Sequence, residues 1–259
     1  MLAPVTDLIY QSKIVNNYQP PDIGGLVTRR RSGAGLNGMI LCIANVLGRA
    51  ALDRLKATLA QGAYVDGVMS SGWASRLVKQ NEQLGEGPFL QDAQDQIIRS
   101  LMDHSVFAAA VMPRRFVPPL FARYGTGMEF GTHMDNALMG PDRMRSDVSV
   151  TVFLSEPEDY DGGELVMETP GGEVGYKLPA GSAVTYPSTM LHRVAPVTRG
   201  TREVAVTWAQ SLVRSAECRE LLFDLDQVST SIFARDGKSR EFDLLHKTSA
   251  NLRRMWVEN

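Results

Sequence analysis

At 259 residues, 44% hydrophobic and 22% charged, the chain has ordinary globular composition and the length of one large domain or of one domain with appendages, which excludes a disordered or fibrous protein. A net charge of −2 and a pI of about 6.1 exclude the overall basic field that holds a nucleic-acid backbone. No run of eighteen apolar residues is present, no secretory signal pattern opens the chain, and Cys42 and Cys218 lie far apart in apolar contexts; a cytoplasmic protein with reduced thiols and with neither nucleic acid nor membrane as partner is expected.

Residues 1–38 carry Pro4, Pro20, Pro21 and the run Arg29-Arg30-Arg31, and read as a flexible N-terminal extension in which the arginines are a solvated linker, with Met39 an alternative start. Gly33-Ala34-Gly35-Leu36-Asn37-Gly38 matches G-x-G-x-x-G, but no strand is expected before it and an apolar, strand-like run comes after it. A phosphate cradle needs a strand before the glycines and a helix N-terminus after them, so the match is set aside. Met39-Ile40-Leu41-Cys42-Ile43 is predicted as a strand, followed by a helix over 48–61 with Leu52, Leu55 and Leu59 on one face and Gly62 as its terminator. A second helix is predicted over 89–108, with Leu90, Ile97 and Leu101 inward; 64–68 and the polar segment after it receive no assignment. Residues 39–115 therefore read as a mixed α/β part that packs on the β-rich domain downstream of it.

Beyond Pro118-Pro119 the pattern changes to short β-branched and aromatic runs between Gly, Pro and Asp turns. Eight strands are predicted, over 120–124, 128–135, 147–154, 164–168, 173–178, 182–186, 190–194 and 202–212, which suits a jelly roll spanning 116–212. Asp161-Gly162-Gly163 reads as a tight hairpin turn. Leu221, Leu222, Leu225 and Val228, then Phe242, Leu245, Leu252 and Trp256, repeat at helical spacing and predict a helical C-terminal domain over 213–259. The expected class is α+β: a double-stranded β-helix core, flanked by N-terminal helices and the helical C-terminal domain.

Side chains two apart on a strand share a face, so His133 and Asp135 present an imidazole and a carboxylate together. His192, on a later strand, can supply a third ligand across a closed double sheet. Two histidines and one carboxylate leave open coordination positions, the arrangement of non-haem Fe(II) oxygenases, although the same ligands also hold catalytic zinc or manganese. Ten residues after His192, Arg202 begins an alternating strand that places Arg202, Val204, Val206 and Trp208 on one side. An inward arginine requires an anion, and the distal carboxylate of 2-oxoglutarate would suit its planar fork; a surface salt bridge is the competing reading.

The segments FARYGTGMEFGTHMDN (121–136), DVSVTVFLSEPEDYDGGELV (147–166) and LPAGSAVTYPSTMLHRVAPVTRGTREVAVTWAQ (178–210) closely resemble the bacterial PKHD-type hydroxylases, iron- and 2-oxoglutarate-dependent dioxygenases akin to prolyl 4-hydroxylases. The resemblance runs from about Met39 to the C-terminus and includes ELLFDLD (220–226) and FDLL (242–245) as that family's helical C-terminal domain. It implies that His133, Asp135 and His192 ligate Fe(II) and that Arg202 holds the 2-oxoglutarate carboxylate, with L-ascorbate as reductant and dioxygen as a further partner. It also implies a small-molecule or peptidyl, amino-acid-like substrate and a link to bacterial iron uptake or homeostasis, with self-association left open. Animal and plant prolyl hydroxylases usually carry lysine where Arg202 stands. Other oxygenases often place a serine or threonine two residues later, where this chain has Val204; Tyr124 is taken as the replacement contact. Asn136 is a candidate for the substrate mouth. His104 and His246 read as ordinary helix residues, and Tyr160 and Trp208 as packing. Two other functions stand beside the oxygenase: a non-catalytic barrel that senses iron or 2-oxoglutarate, and a cupin-like metal hydrolase or isomerase, which Arg202 disfavours.

Overall fold

The computed structural model describes residues 27–31, 38–70, 72, 75–140 and 142–258, so most of the expected extension, and all of the G-x-G-x-x-G match except Gly38, lies outside the described residues. Within the extension, β1 (Val27–Arg31) pairs antiparallel with β2 (Met39–Ile43), Val27 opposite Ile43 and Arg31 opposite Met39. The triple arginine therefore belongs to a strand and not to a linker: the pairing supplies partners for backbone groups that a linker leaves to water. It also changes the ground for rejecting the glycine motif. A strand does precede it, but a second strand comes after it, so no helix N-terminus is available to a phosphate.

Helix α1 (Arg49–Leu59) buries Leu52, Leu55 and Leu59, and ends at Ala60, before Gly62. Next come three short strands, β3 (Tyr64–Asp66), β4 (Lys79–Gln80) and β5 (Glu82–Leu84), in the stretch to which the sequence pattern assigned nothing. The helix expected over 89–108 is two: α2 (Leu90–Asp103) and α3 (Ser105–Val111). His104 between them is extended, with ψ 110°, and its Nε2 lies 3.2 Å from the Ala44 carbonyl oxygen, so it is a hinge between helices rather than an interior helical residue. A one-residue break leaves the apolar spacing on either side intact, which is why the periodicity does not show it.

The remaining strands are β6 (Pro113–Phe116), β7 (Leu120–Tyr124), β8 (Glu129–His133), β9 (Leu138–Met139), β10 (Met144–Arg145), β11 (Val148–Phe153), β12 (Tyr160–Gly162), β13 (Leu165–Thr169), β14 (Gly172–Tyr176), β15 (Ala183–Pro187), β16 (His192–Val194), β17 (Val197–Gly200) and β18 (Arg202–Ser211). All eight expected strands are among them. Asp161-Gly162-Gly163 is not a hairpin turn: Asp161 and Gly162 pair in β12 with β17, and Asp161 forms an ion pair with Arg199 at 2.6 Å.

Among the described residues the strands form two main sheets, one ordered β1-β2-β15-β11-β18-β7-β5-β3 with β6 beside β18, the other β14-β13-β16-β8-β4. This is the jelly roll that the strand count suggested. The larger sheet is covered on both faces. Its outer face packs Val148, Val150, Val152, Ala205 and Ala209 against leucines of α1, Ile97 and Leu101 of α2, and Phe107 of α3. Its inner face packs Ala122, Tyr124, Phe153 and Val204 against Leu165, Met167 and Val194 of the smaller sheet. Strand β11, VSVTVF, is accordingly buried at all six positions. Its polar members Ser149 and Thr151 fall on the inner face, where buried hydroxyls need a stated reason.

The C-terminal pair, α4 (Ala216–Asp236) and α5 (Arg240–Trp256), begins at the serine caps Ser215 and Ser239. The buried face of α4 differs from the apolar stripe expected from the sequence: Leu222 is buried, but Leu221 and Val228 are about half exposed, and Arg219, Phe223, Asp226 and Ser229 are buried instead. Asp226 accounts for the polar face, because it accepts from Arg253 of α5 at 2.5 Å and ties the two helices together. Among the described residues no helix is long and apolar enough to cross a membrane.

Candidate metal centre

His133 closes β8 and His192 opens β16, and the two strands pair with these residues directly opposite each other. Cross-strand partners face the same side, so register alone brings the imidazoles together. Asp135 lies just past the end of β8, keeps the two-residue offset, and is buried, while Met134 between them is half exposed. One ligand atom from each of His133, Asp135 and His192 lies within 4.8 Å of the others, and His192 Nε2 stands 3.9 Å from Asp135 Oδ2.

Both rings are oriented from behind. His133 Nδ1 donates to the Gly131 carbonyl at 2.8 Å and His192 Nδ1 to the Met190 carbonyl at 3.0 Å, which leaves each Nε2 as a lone pair aimed at the common point. Phe130 stacks on His133 with centroids 3.7 Å apart, and Tyr186 meets His192 edge-on at 5.1 Å. Burial, with His192 adding to it, pushes the His133 imidazole down to about 4, so it is neutral and able to ligate at pH 7.

Behind the carboxylate, Ser149 Oγ donates to Asp135 Oδ2 at 2.5 Å. Ser188 Oγ lies 2.8 Å from Ser149 Oγ and, since Ser149 has spent its one proton on the carboxylate, donates to it. This is the reason for the hydroxyl on the inner face of β11. Ser149→Ala is expected to weaken divalent-metal affinity about 10- to 100-fold with little loss of fold. Titration of the anaerobic apoprotein with Mn(II) or Fe(II) checks it, and unchanged affinity would mean that the carboxylate is held without the hydroxyl.

Arg202 begins β18 opposite Tyr124 of β7 and is 1% exposed. Its guanidinium carbon stands 5.0 Å from the Tyr124 ring and 5.7 Å from that of Phe153, while Nε and Nη1 are buried with no protein acceptor. A buried cation left this way is costly unless an anion arrives. Among the described residues no carboxylate forms an ion pair with Arg202, so the surface salt-bridge reading does not describe it there. The Tyr124 hydroxyl is hydrogen-bonded to Asn81; burial raises its pKa against the opposing pull of Arg202, so it stays protonated.

Gly163 makes the space in which Arg202 lies. A Cβ there would come within 3.1 Å of Arg202 Cδ and 3.0 Å of Val197, at a φ of +67° that disfavours any other residue. Gly163→Ala is expected to displace the arginine and weaken 2-oxoglutarate binding about tenfold or more, since a well-placed charged hydrogen bond contributes about 1.5–3 kcal/mol. Calorimetric titration of the Mn(II)-loaded protein measures this.

The triad, Arg202, Tyr124 and Asn136 all line one cavity of about 260 Å³, Asn136 from an exposed position and Tyr124 from a buried one. The expected inward side of β18 is borne out for Arg202, Val206 and Trp208, which line it, while Val204 packs in the adjoining core. Trp208 lines the cavity, and its indole N–H is buried with no acceptor among the described residues. Ser149, Ser188 and Lys79 were not singled out from the sequence. The signal for the first was present, as polar residues at period two inside an otherwise apolar strand.

Two imidazole Nε2 lone pairs, one carboxylate oxygen and, in the same cavity, a guanidinium lacking an anion are a donor set that fits Fe(II) with 2-oxoglutarate. Residues 119–210 match the 2OG-Fe(II) oxygenase superfamily. A PKHD-type hydroxylase of Picosynechococcus is 50% identical over 221 residues, covering 85% of this chain and 100% of the relative. This chain belongs to the PKHD-type hydroxylases. A Maricaulis maris PKHD-type hydroxylase is 47% identical over 221 residues, with the same coverage of 85% and 100%. A crystal structure of a Pseudomonas putida prolyl-4-hydroxylase aligns at 21% identity and a TM-score of 0.47, covering 68% of this chain and 93% of that one. As a PKHD-type hydroxylase the protein is an iron- and 2-oxoglutarate-dependent oxidoreductase, which removes the cupin-like hydrolase and isomerase from consideration.

Proposed function

We propose that the protein hydroxylates a C–H bond of a peptidyl or amino-acid-like substrate, with Fe(II) held by His133, Asp135 and His192 and the distal carboxylate of 2-oxoglutarate held by Arg202 and Tyr124. The observation that carries this reading is the buried Arg202 guanidinium, two of whose nitrogens have no acceptor among the described residues, in the same 260 Å³ cavity as the triad, since a metal site for hydrolysis needs no second, buried cation. Bound iron and 2-oxoglutarate supply the oxidation, in which loss of carbon dioxide to give succinate is coupled to hydroxylation by dioxygen.

The chain's own residues orient and exclude. Nδ1–H bonds to two backbone carbonyls hold the imidazoles, and Ser149 holds the carboxylate. Leu120, Leu165, Val194 and Val206 give the cavity an aliphatic wall that limits water at the reacting bond. Asn136, exposed at the cavity's edge, contacts substrate in this reading. The kinship with other PKHD-type hydroxylases supports L-ascorbate as reductant of iron oxidised in uncoupled turnover, and a cytoplasmic role linked to iron uptake. Residues 116–212 are the catalytic unit and 213–259 a helical partner to it.

Anaerobic Fe(II) with 2-oxoglutarate is expected to give a weak visible charge-transfer band, and oxygen is expected to release succinate, at a rate that falls within a few turnovers when ascorbate is withheld. A wild type without the band would overturn the oxygenase assignment of these residues. A band without succinate would favour an iron or 2-oxoglutarate sensor.

A further inference from the structure

Strand β18 runs along the cavity with Arg202 at one end and Trp208 towards the other. Across the larger sheet, Arg202 lies opposite Tyr124, Val206 opposite Leu120 and Thr151, and Trp208 opposite Ser149, which in turn faces Tyr186. These rows lead from the anion end to the metal end. Ser149 donates to Asp135 and Tyr186 meets His192 edge-on, so the row that holds Trp208 is the row that backs two of the three ligands. Six residues at about 3.3 Å each put Trp208 roughly 20 Å along the strand from Arg202.

The backbone on either side of Trp208 is fixed. Its carbonyl accepts from the Val117 N–H at 2.9 Å, and Thr207 beside it donates to the Val117 carbonyl at 2.6 Å. The side chain lines the cavity, and its indole N–H is buried without an acceptor among the described residues. An indole nitrogen can only donate, and a buried donor left unpaired costs about 1–3 kcal/mol, so this one calls for an oxygen on a bound molecule. Val117, Leu120 and Val206 along the same wall are aliphatic, and a bound water would find few of the polar partners that hold one there. In the oxygenase reading 2-oxoglutarate reaches from the Arg202 row to the metal, which leaves the Trp208 donor for the molecule that is hydroxylated. A neutral donor among aliphatic side chains suits a neutral carbonyl; a carboxylate in that row would lose its hydration without gaining a cation.

We infer that Trp208 binds the substrate through its indole N–H, and that the substrate presents an amide carbonyl next to the aliphatic group that is hydroxylated, as a peptide bond within a chain does. The inference rests on the oxygenase reading given above and narrows its substrate to amide-bearing molecules. Asn136, exposed at the edge of the same cavity, both donates and accepts and so suits the next peptide group outward.

The test uses the full chain loaded with Mn(II) and 2-oxoglutarate and reads the paramagnetic broadening of probe protons. The probes are N-acetyl-leucine N-methylamide and N-acetyl-proline N-methylamide, each beside its dithioamide, which keeps the shape and weakens the acceptor. At least one amide is expected to be broadened at a concentration about three- to tenfold below that needed by its dithioamide, as one neutral hydrogen bond requires. Trp208→Phe keeps an aromatic ring without the donor, and is expected to abolish that preference and leave 2-oxoglutarate affinity unchanged. With Zn(II) in place of Mn(II), the preferred amide is expected to move one of the wild type's three indole N–H resonances downfield, the one absent from Trp208→Phe. Equal broadening by amides and dithioamides, broadening by none of the four, a preference that survives in Trp208→Phe, or an indole resonance that stays in place overturns the inference. So does a marked loss of 2-oxoglutarate affinity in Trp208→Phe, which would assign the donor to the co-substrate. If 2-oxoglutarate leaves the water relaxation of the Mn(II) protein unchanged, the oxygenase reading itself fails, separately from the role of Trp208.

Discussion

His133→Ala is expected to abolish the 2-oxoglutarate charge-transfer band and reduce oxygen-dependent succinate release to background, while the apoprotein keeps its fold. The magnitude comes from position. Loss of a supporting hydrogen bond behind a metal ligand costs about 10- to 100-fold in affinity, so loss of the ligand itself should cost at least about 100-fold. Here the ring supplies one of three protein donors within 4.8 Å of one another, and among the described residues no other His, Cys, Asp or Glu belongs to the group. The fold survives because His133 is partly exposed and ends its strand, so the truncation leaves no large void in the core. Fe(II) titration under anaerobic conditions, followed by succinate measurement after oxygen is admitted, checks both halves. Retention of the band in His133→Ala would place the metal elsewhere.

Arg202→Met separates binding from stability, and the two should move in opposite directions. In the wild type, a saturating 2-oxoglutarate concentration about 100 times Kd adds about 2.7 kcal/mol, which for a chain of this size raises Tm by roughly 5–10 °C. In Arg202→Met that shift should shrink sharply, because the distal carboxylate loses charge-assisted hydrogen bonds worth about 1.5–3 kcal/mol, or roughly 10- to 150-fold in affinity. Without ligand, however, the variant should be at least as stable as the wild type. It replaces a guanidinium that is 1% exposed and has two nitrogens without acceptors by an apolar side chain of similar length. Arg202→Lys keeps the charge but not the planar fork, and should bind 2-oxoglutarate more weakly than wild type and more tightly than the methionine variant. Thermal denaturation of the three proteins with and without Mn(II) and 2-oxoglutarate decides it; a ligandless Arg202→Met that is strongly destabilised would mean that the arginine is structural.

The strands of the jelly roll were legible because each is short, β-branched and bounded by turn residues, and the observed ends fall within two residues of the expected ones throughout, 128–135 shrinking to Glu129–His133 and 173–178 becoming Gly172–Tyr176. The ligand trio and Arg202 were legible because the segments that carry them resemble the PKHD-type hydroxylases; the H-x-D spacing alone is common. Three kinds of feature were hidden. The break at His104 is a single residue in a pattern that otherwise stays in phase. The strand Val27–Arg31 exists only through its partner β2, and its three arginines give no apolar alternation. The buried face of α4 turns on Asp226, whose partner Arg253 is 27 residues away in sequence.

By itself, then, the sequence determined the local propensities and the inventory of chemistry: which segments extend, which coil, and that one imidazole, one carboxylate, a second imidazole and an arginine stand where an oxygenase needs them. Tertiary structure alone decided the register that sets His133 opposite His192, the serine pair behind Asp135, the room that Gly163 leaves for Arg202, and the row that sets Trp208 opposite Ser149. The physical reason is range. Propensity and periodicity act over a few residues, whereas burial, charge balance and hydrogen-bond satisfaction are properties of the closed barrel, where groups from strands of both sheets and the loops between them share one cavity.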